Sequence, residues 1–298
     1  MSNTSNTQVL RAIFILILAV LGFDVMAICV RLLQPAYSAA ELSAYRNVLG
    51  VIPSLIVMSY MGQLQFKRSA LRLPQWRLAL LRGCFIAVAQ LSFYGALGLM
   101  ELATVSALAQ TNGLFVVLLS IAVLGEKVGK WRWGALMLGF AGAMLILKPG
   151  SDAFSVQALL PIVAALFYGL SMVTIQLFDK ESPNALIYLY ASTASALASI
   201  LFVFFFEGFS PLPDLRDAAV IFVMSMAGGC GVLLMMLAYR SAPPSALAPF
   251  QYFSILSAFF FGWAIFGELP IEDLFPGTLF IIGAGAIIIW RENFVKSS

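Results

Sequence analysis

The sequence contains no histidine and little charge. Only 10% of its 298 residues are Asp, Glu, Lys or Arg, whereas a soluble domain carries about 25%. Because histidine is the commonest metal ligand and a frequent general base, its absence disfavours a metalloenzyme or an ordinary hydrolase. The three cysteines, Cys29, Cys84 and Cys230, lie in apolar stretches and match neither a disulfide framework nor a metal-binding spacing. We therefore expect no metal and no cofactor.

Apolar residues, by contrast, make up 61% of the chain. A transmembrane helix needs roughly 20 mostly apolar residues, and the segments lack the strict alternation of a membrane β-strand. The sequence therefore predicts an all-α polytopic membrane protein with the lipid bilayer as its partner and no nucleic-acid partner. The ten predicted transmembrane helices are residues 10–32, 41–61, 76–98, 102–124, 131–148, 156–178, 184–206, 217–239, 245–266 and 274–291.

The second half of the chain repeats the first. Gly125-Glu126 ends one apolar segment, and Gly267-Glu268 ends another 142 positions later. The same shift aligns many of the flanking residues without gaps. The sequence therefore predicts two five-helix repeats, formed by residues 1–150 and residues 151–298.

Loop charges predict the orientation of these repeats. Lys and Arg accumulate in cytoplasmic loops. With the N-terminus inside, twelve Lys and Arg residues face the cytoplasm and three face outward, while Arg46 and Arg82 lie within segments. This pattern predicts a bacterial inner-membrane protein with both termini in the cytoplasm. Because each repeat has an odd number of helices, the second repeat must be inverted, as in many secondary transporters.

At this point the residues resemble a known group. Tyr94-x-Ala96-Leu97, Ala103 to Ala109, Leu124-Gly125-Glu126 and Lys148-Pro149-Gly150 are similar to the drug/metabolite transporter superfamily, in its EamA-type branch. The first-half pattern is also similar to members that take up riboflavin or S-adenosylmethionine. The resemblance implies a central cavity, surrounded by the middle helices of each half, and a small-molecule cargo.

Three charged residues lie at membrane depth, where a charge is costly and is a functional hypothesis by default. Asp24 either faces the cavity, where it binds a cationic group or a coupling proton, or pairs with an arginine. Arg46 either attracts an anionic part of the cargo, or pairs with Glu41 or Asp24, or extends to the headgroups. Arg82, near the inner end of its segment, is interpreted as extending to the headgroups.

Uncharged polar residues form two candidate patches. Gln110 and Asn112 lie in the fourth segment, and Gln251 and Ser254 lie in the matching stretch of the ninth. They form either a binding floor or hydrogen bonds between helices. With aromatic and amide groups of the third and sixth segments, they complete the predicted substrate-binding set: Asp24, Arg46, Gln90, Tyr94, Gln110, Asn112, Tyr168, Gln251 and Ser254.

Four further residues are candidates for gating or packing. Gly228 and Gly229 permit close approach of another backbone or a bend, and Trp263 lies deep enough to close the cavity. Pro249 is expected to kink the ninth segment. Its counterpart is Ala107, so the sequence predicts no shared kink in the first half.

The sequence as a whole predicts a secondary transporter, monomeric or a weak dimer, and no enzyme. It would move a small planar or zwitterionic metabolite, such as riboflavin, S-adenosylmethionine or an amino acid, by alternating access. No Gly-x-x-x-x-Gly-Lys-Ser/Thr loop is present, so ATP is not expected to drive it. The alternatives are an exporter of drugs or toxic amines, a channel, and a membrane enzyme that modifies lipids.

Overall fold

Every regular element in the described part of the chain is helical. The computed structural model describes residues 6–34, 36–60, 72–100, 102–109, 111–147, 156–211, 214–267, and 276–287 without 278, 281 and 285. The α-helices in these ranges are α1 (Asn6–Leu33), α2 (Ala39–Leu49), α3 (Ile52–Tyr60), α4 (Trp76–Leu99), α5 (Leu102–Ala109), α6 (Asn112–Leu124), α7 (Lys130–Leu147), α8 (Leu159–Thr174), α9 (Asn184–Phe202), α10 (Leu215–Ser241), α11 (Pro244–Leu247) and α12 (Phe253–Phe261).

Six of the described helical stretches are long and apolar enough to cross a membrane. They agree with six of the predicted segments to within a few residues. Half of the predicted tenth segment lies outside the described residues, and so does Glu268. The six spans are Thr7–Leu33, Ala39–Tyr60, Trp76–Leu99, Leu159–Leu177, Asn184–Glu207 and Leu215–Ser241.

Two predicted spans are broken into shorter pieces. In the first half, α5 ends at Ala109 and α6 begins at Asn112, and the amide of Thr111 donates to the carbonyl of Leu108 in a tight turn. In the second half, a 3-10 segment, Ala248–Tyr252, precedes α12. The turn of the first half lies at Thr111 and not at Ala107, the counterpart of Pro249, which is within α5. The Thr111 hydroxyl also donates to the Leu108 carbonyl and holds the turn without a proline.

The helices of the first and second halves pack against one another reciprocally. Helix α1 lies along α10, whereas α8 lies along α4. Helix α2 packs on α9, α4 also packs on α9, and α10 packs on α2. Contacts between α6 and α8 are matched by contacts between α12 and α1. The two halves thus share one interior instead of forming separate cores.

Glycines allow two of these helix pairs to approach closely. A Cβ on Gly83 of α4 would lie 2.4 Å from the carbonyl oxygen of Ala191 in α9. A Cβ on Gly229 of α10 would lie 2.4 Å from the carbonyl oxygen of Gly50, just after α2. Because such distances exclude any side chain, these contacts depend on glycine, as do many helix contacts in membranes.

Large apolar side chains also cover much of the outer surface. Phe204, Phe205 and Phe206, in the π-helical turn after α9, are each at least two-thirds exposed. Such an apolar exterior suits hydrocarbon, because soluble proteins rarely expose large contiguous apolar patches.

Candidate functional site

A cavity opens between the two halves, in the middle of the helix bundle. It contains about 1020 Å³ of empty space, a volume that includes its open mouth. Helices of both halves contribute to its wall. The lining residues are Val20, Phe23, Asp24, Met26, Ala27, Arg46, Arg82, Ile86, Gln90, Phe93, Ser106, Ala109, Asn112, Tyr168, Ser171, Met172, Val232, Met235, Gln251 and Ser254.

The structure brings most of the predicted substrate-binding residues together at this cavity. Residues from α1, α2, α4, α6, α8 and the stretch around the second helix break meet there, although they are far apart in the sequence. The predicted residues that line the cavity are Asp24, Arg46, Gln90, Asn112, Tyr168, Gln251 and Ser254.

The remaining predicted residues lie elsewhere. Tyr94 is fully buried behind the cavity wall, where its hydroxyl faces the Sδ atom of Met26 at 3.4 Å. Trp263 is 56% exposed and its ring contacts Phe260, so it does not cover the cavity in this conformation. Pro249 belongs to the 3-10 segment before α12. Gln110 lies outside the described residues.

Arg46 is fixed in the cavity wall by α2 and α10. Its Nη1 atom donates to Oδ1 of Asn47 at 2.8 Å, and its Nη2 atom donates to the carbonyl of Gly228 at 3.0 Å. Its Nε atom is buried without a partner. The side chain is 2% exposed, and it forms no ion pair with Asp24 or Glu41. The alternatives of an ion pair and of extension to the headgroups are therefore wrong.

Gly228 leaves the space that the Arg46 side chain occupies. A Cβ at position 228 would lie 2.8 Å from Nε of Arg46 and 2.7 Å from Sδ of Met26. Gly229, on the adjacent position, meets the chain that follows α2. Both predicted packing glycines therefore contact the region of α2: Gly228 faces the Arg46 side chain, and Gly229 faces the backbone at the end of the helix.

Arg82 is a cavity residue that the sequence interpretation missed. It is 1% exposed, and its Nε atom donates to the carbonyl of Ser171 at 3.0 Å. Its Nη1 atom is buried without a partner. The prediction that Arg82 extends to the headgroups is wrong, because α8 covers it. Its spacing of four from Ile86, which is itself four before Gln90, was the available signal, since such residues share a helix face.

Asp24 and Asn112 place acceptor atoms on the cavity. Oδ2 of Asp24 and Oδ1 of Asn112 are both buried without a partner. The Nε2 atom of Gln251 donates to the hydroxyl of Tyr239.

A buried hydrogen-bond network sets the position of α2 against α4 and α9. Nδ2 of Asn47 donates to Oε1 of Gln90 at 2.6 Å and to Oγ of Ser195 at 2.9 Å. Ser43 donates to Oε1 of Gln90 at 2.8 Å, and its hydroxyl also meets that of Ser199 at 2.9 Å. Since Asn47 also accepts from Arg46, the network fixes the arginine in place.

The polar groups of the cavity suit the binding of a small molecule. Among the described residues, no three His, Cys, Asp or Glu side chains converge on one point. What converges instead is one carboxylate, two guanidiniums, several amides and hydroxyls, and apolar and aromatic side chains. Such a wall can hold a small polar molecule at membrane depth, where its polar residues mark a functional site.

The fold and this site define a multi-pass integral membrane protein with a central binding cavity. The model of the EamA-like transporter family matches residues 10–148 and again residues 156–290. The chain therefore belongs to the EamA-like transporter family.

Its relatives are metabolite transporters of bacteria. The chain is 24% identical to an S-adenosylmethionine uptake transporter of Rickettsia bellii over 258 residues, which are 86% of each protein. It is 31% identical to a riboflavin transporter of Vibrio cholerae over 252 residues, 81% of this chain and 80% of that one. It is 24% identical to the pseudopaline exporter of Pseudomonas aeruginosa over 91% of this chain and 93% of the relative.

A solved crystal structure has a similar fold. It superimposes with a TM-score of 0.78 over 96% of this chain and 99% of that chain, at 18% sequence identity. At this identity the likeness concerns the fold alone.

Proposed function

We propose that the protein is a secondary transporter that takes up a small planar or zwitterionic metabolite by alternating access. The observation that carries this proposal is the cavity itself. Its polar wall is built from both segments matched by the family model and lies beside the helix breaks of both halves. Discontinuous helices at a midplane site between two repeats are typical of secondary transporters.

The proposed architecture is ten transmembrane helices in two inverted five-helix repeats, residues 1–150 and residues 151–298. Three observations support it. The family model matches the chain twice, and the packing of α1 on α10 is mirrored by that of α8 on α4. Gly125 and Gly267, at equivalent places, both end their helices with positive φ, 64° and 68°.

The proposed location is the bacterial inner membrane, with both termini in the cytoplasm. The excess of Lys and Arg on the side of the N-terminus supports this orientation. Uptake is the proposed direction, because the named functions of the Rickettsia relatives are uptake functions. The pseudopaline exporter among the relatives supports export as the second candidate direction.

Transport into proteoliposomes tests the function directly. Purified protein is reconstituted, and entry of labelled riboflavin, S-adenosylmethionine and a mixture of amino acids is measured with and without a pH gradient. We expect saturable entry of at least one of these compounds. Stimulation by an inward proton gradient would assign proton coupling, and an unchanged rate would assign facilitated diffusion. Entry no faster than in protein-free liposomes, for every compound and in both directions, would reject the proposal.

Two variants test whether the cavity is the transport site. Asp24→Asn and Arg46→Gln remove the charge while keeping a similar side-chain shape, and we expect each to reduce entry of the accepted cargo at least about tenfold. Arg77→Gln, on the exposed face of α4, is the matched control and should transport normally. If both cavity variants transport as well as this control, the assigned site is wrong.

A further inference from the structure

Four polar atoms on the cavity wall are buried without a hydrogen-bond partner. Two are donors, Nε of Arg46 and Nη1 of Arg82, and two are acceptors, Oδ2 of Asp24 and Oδ1 of Asn112. Nearly all buried polar side-chain atoms in proteins have a partner, and a group left without one carries its full desolvation cost. A partner at this place is therefore strongly favoured, and the cavity is open to supply one.

The two donors call for a negatively charged partner. Arginine offers only donors and stays protonated, and no carboxylate of the described residues bonds to Arg46 or Arg82. The two guanidiniums line the same cavity and carry the same charge, so they repel each other. A carboxylate can accept from both kinds of donor, and its bonds to a guanidinium are charge-assisted. An anionic group between these arginines would satisfy both donors and relieve their repulsion.

The two acceptor atoms, on Asp24 and Asn112, need a hydrogen-bond donor. A cationic donor is the best partner for the negatively charged Asp24. Oδ2 of its carboxylate is buried at the cavity wall without a partner. Asp24 lies on α1 and Asn112 on α6, whereas the arginines lie on α2 and α4. The groups that need a donor and those that need an acceptor thus come from different helices, and one molecule that presents both kinds of group would satisfy all four atoms.

Between them the cavity is apolar and aromatic. Phe93 of α4 and Tyr168 of α8 meet edge to face, with ring centroids 6.3 Å apart, and Met26, Met172 and Met235 line the same space. Aromatic and methionine side chains accommodate flat or irregular apolar bodies. The wall therefore also has a place for a non-polar part of the ligand.

We infer that the cargo is a zwitterion of the amino-acid type, whose carboxylate is bound by Arg46 and Arg82 and whose amino group is bound by Asp24 and Asn112, with a planar or apolar remainder. Arg82 is a specificity-determining residue under this inference. The inference rests on the proposed function and narrows its cargo, because a neutral planar molecule leaves both guanidiniums without an anionic partner.

Matched ligands separate the two ends of the molecule. Binding to the purified full chain in detergent is measured by the rise in its unfolding temperature with S-adenosylmethionine, and with methylthioadenosine, which lacks the amino-acid group. The second set is tryptophan, tryptamine without the carboxylate, and indole propionate without the amine. We expect at least one of the two zwitterions to stabilise the protein, and its truncated analogues to bind at least about tenfold more weakly, because each loses a charge-assisted contact.

Variants then test which residues bind the carboxylate of the ligand and which bind its amino group. Arg82→Gln should weaken binding of the zwitterion at least about tenfold and leave binding of tryptamine unchanged, whereas Asp24→Asn should spare indole propionate. Arg82→Lys keeps the positive charge but lacks the planar guanidinium, so it should bind the zwitterion with intermediate affinity. This variant also separates a loss of affinity from misfolding. Arg77→Gln is the control and should bind as the unmodified protein does.

The outcomes distinguish the inference from the proposed function. Equal binding of zwitterions and truncated analogues, no binding of either zwitterion, or normal binding by Arg82→Gln would each overturn the inference. Riboflavin entry into proteoliposomes without binding of zwitterions would overturn it while keeping the transporter function. Binding of the zwitterion with the expected variant pattern, but no transport of any compound, would support the inference and reject the function.

Discussion

Arg46 owes its place in the cavity wall to a missing side chain on the opposite helix. The bare backbone at Gly228 gives the guanidinium both space and an accepting carbonyl, while Asn47 holds its other end. The charged group of a long, flexible side chain is thereby held in one orientation. Such fixed orientation of a binding group reduces the entropy lost when a ligand binds.

Gly228→Ala tests this arrangement. The added Cβ would lie 2.8 Å from Nε of Arg46, so the Arg46 side chain must move away from this position. We expect KM for the cargo to rise about tenfold, because a hydrogen bond of a charged group is distorted. The free energy of unfolding should change by no more than about 2 kcal/mol, since overpacking is partly offset by the better helix propensity of alanine.

Gly134→Ala in α7 is the matched control for this substitution. Nothing lies within 4 Å of a Cβ at position 134, so both KM and stability should stay close to those of the unmodified protein. An unchanged KM in Gly228→Ala, measured by cargo entry into proteoliposomes, would contradict the role given to Gly228.

At the scale of elements, α4 and α9 hold α2 by two different means. Polar groups join the three helices through Asn47, Gln90 and Ser195, and Gly83 lets the backbones of α4 and α9 come close. In lipid, where there is little hydrophobic drive between helices, such polar and small-residue contacts determine which helices associate. Each contact can be removed separately.

Asn47→Ala removes the polar connection. It leaves Oε1 of Gln90 and the Ser195 hydroxyl with fewer partners and takes an acceptor from Arg46. We expect the free energy of unfolding, measured in mixed micelles, to fall by about 1–3 kcal/mol. Thr193→Ala removes an exposed hydroxyl that bonds only within α9, and its stability should be nearly unchanged. Equal stability of the two variants would refute the structural role of the network.

Gly83→Ala removes the close approach. Its Cβ would lie 2.4 Å from the carbonyl oxygen of Ala191 and 2.6 Å from Cβ of Ala194, so α4 and α9 must separate. We expect a loss of stability of about 1–3 kcal/mol. Gly95→Ala in the same helix meets nothing within 4 Å and should gain up to about 1 kcal/mol from helix propensity. The same unfolding assay compares the pair, and a Gly83 variant as stable as the Gly95 variant would contradict the proposed contact.

The long apolar spans and most of the polar cavity residues could be predicted from the sequence, because length, hydropathy and isolated polar groups are local properties. The break at Thr111 could not, since no proline marks it and Gly113, two residues later, lies within α6; a side-chain hydroxyl closes the turn. The burial of Arg82 could not be predicted either. The Arg82 guanidinium lies under α8. Only the packing of α4 on α8 prevents it from reaching solvent.

At the scale of the whole molecule, the proposed inverted repeat makes a prediction about sidedness. Cysteines are introduced singly at Lys127, Arg216 and Glu268, in a protein whose Cys29, Cys84 and Cys230 are replaced. We expect a membrane-impermeant maleimide added outside intact cells to label positions 216 and 268 and to leave position 127 unlabelled until the membrane is opened. Labelling of positions 127 and 268 from the same side would exclude the inverted arrangement.

The packing of the two halves is reciprocal, but the charges of the cavity are not. Asp24, Arg46 and Arg82 all precede residue 150, and the second half adds only uncharged groups to the wall. In the transport cycle proposed above, a bound molecule would stay attached to the first half while the opening moves from one side of the bilayer to the other. It would not turn over in transit, so the end that enters the cavity first would also be the end that leaves it first.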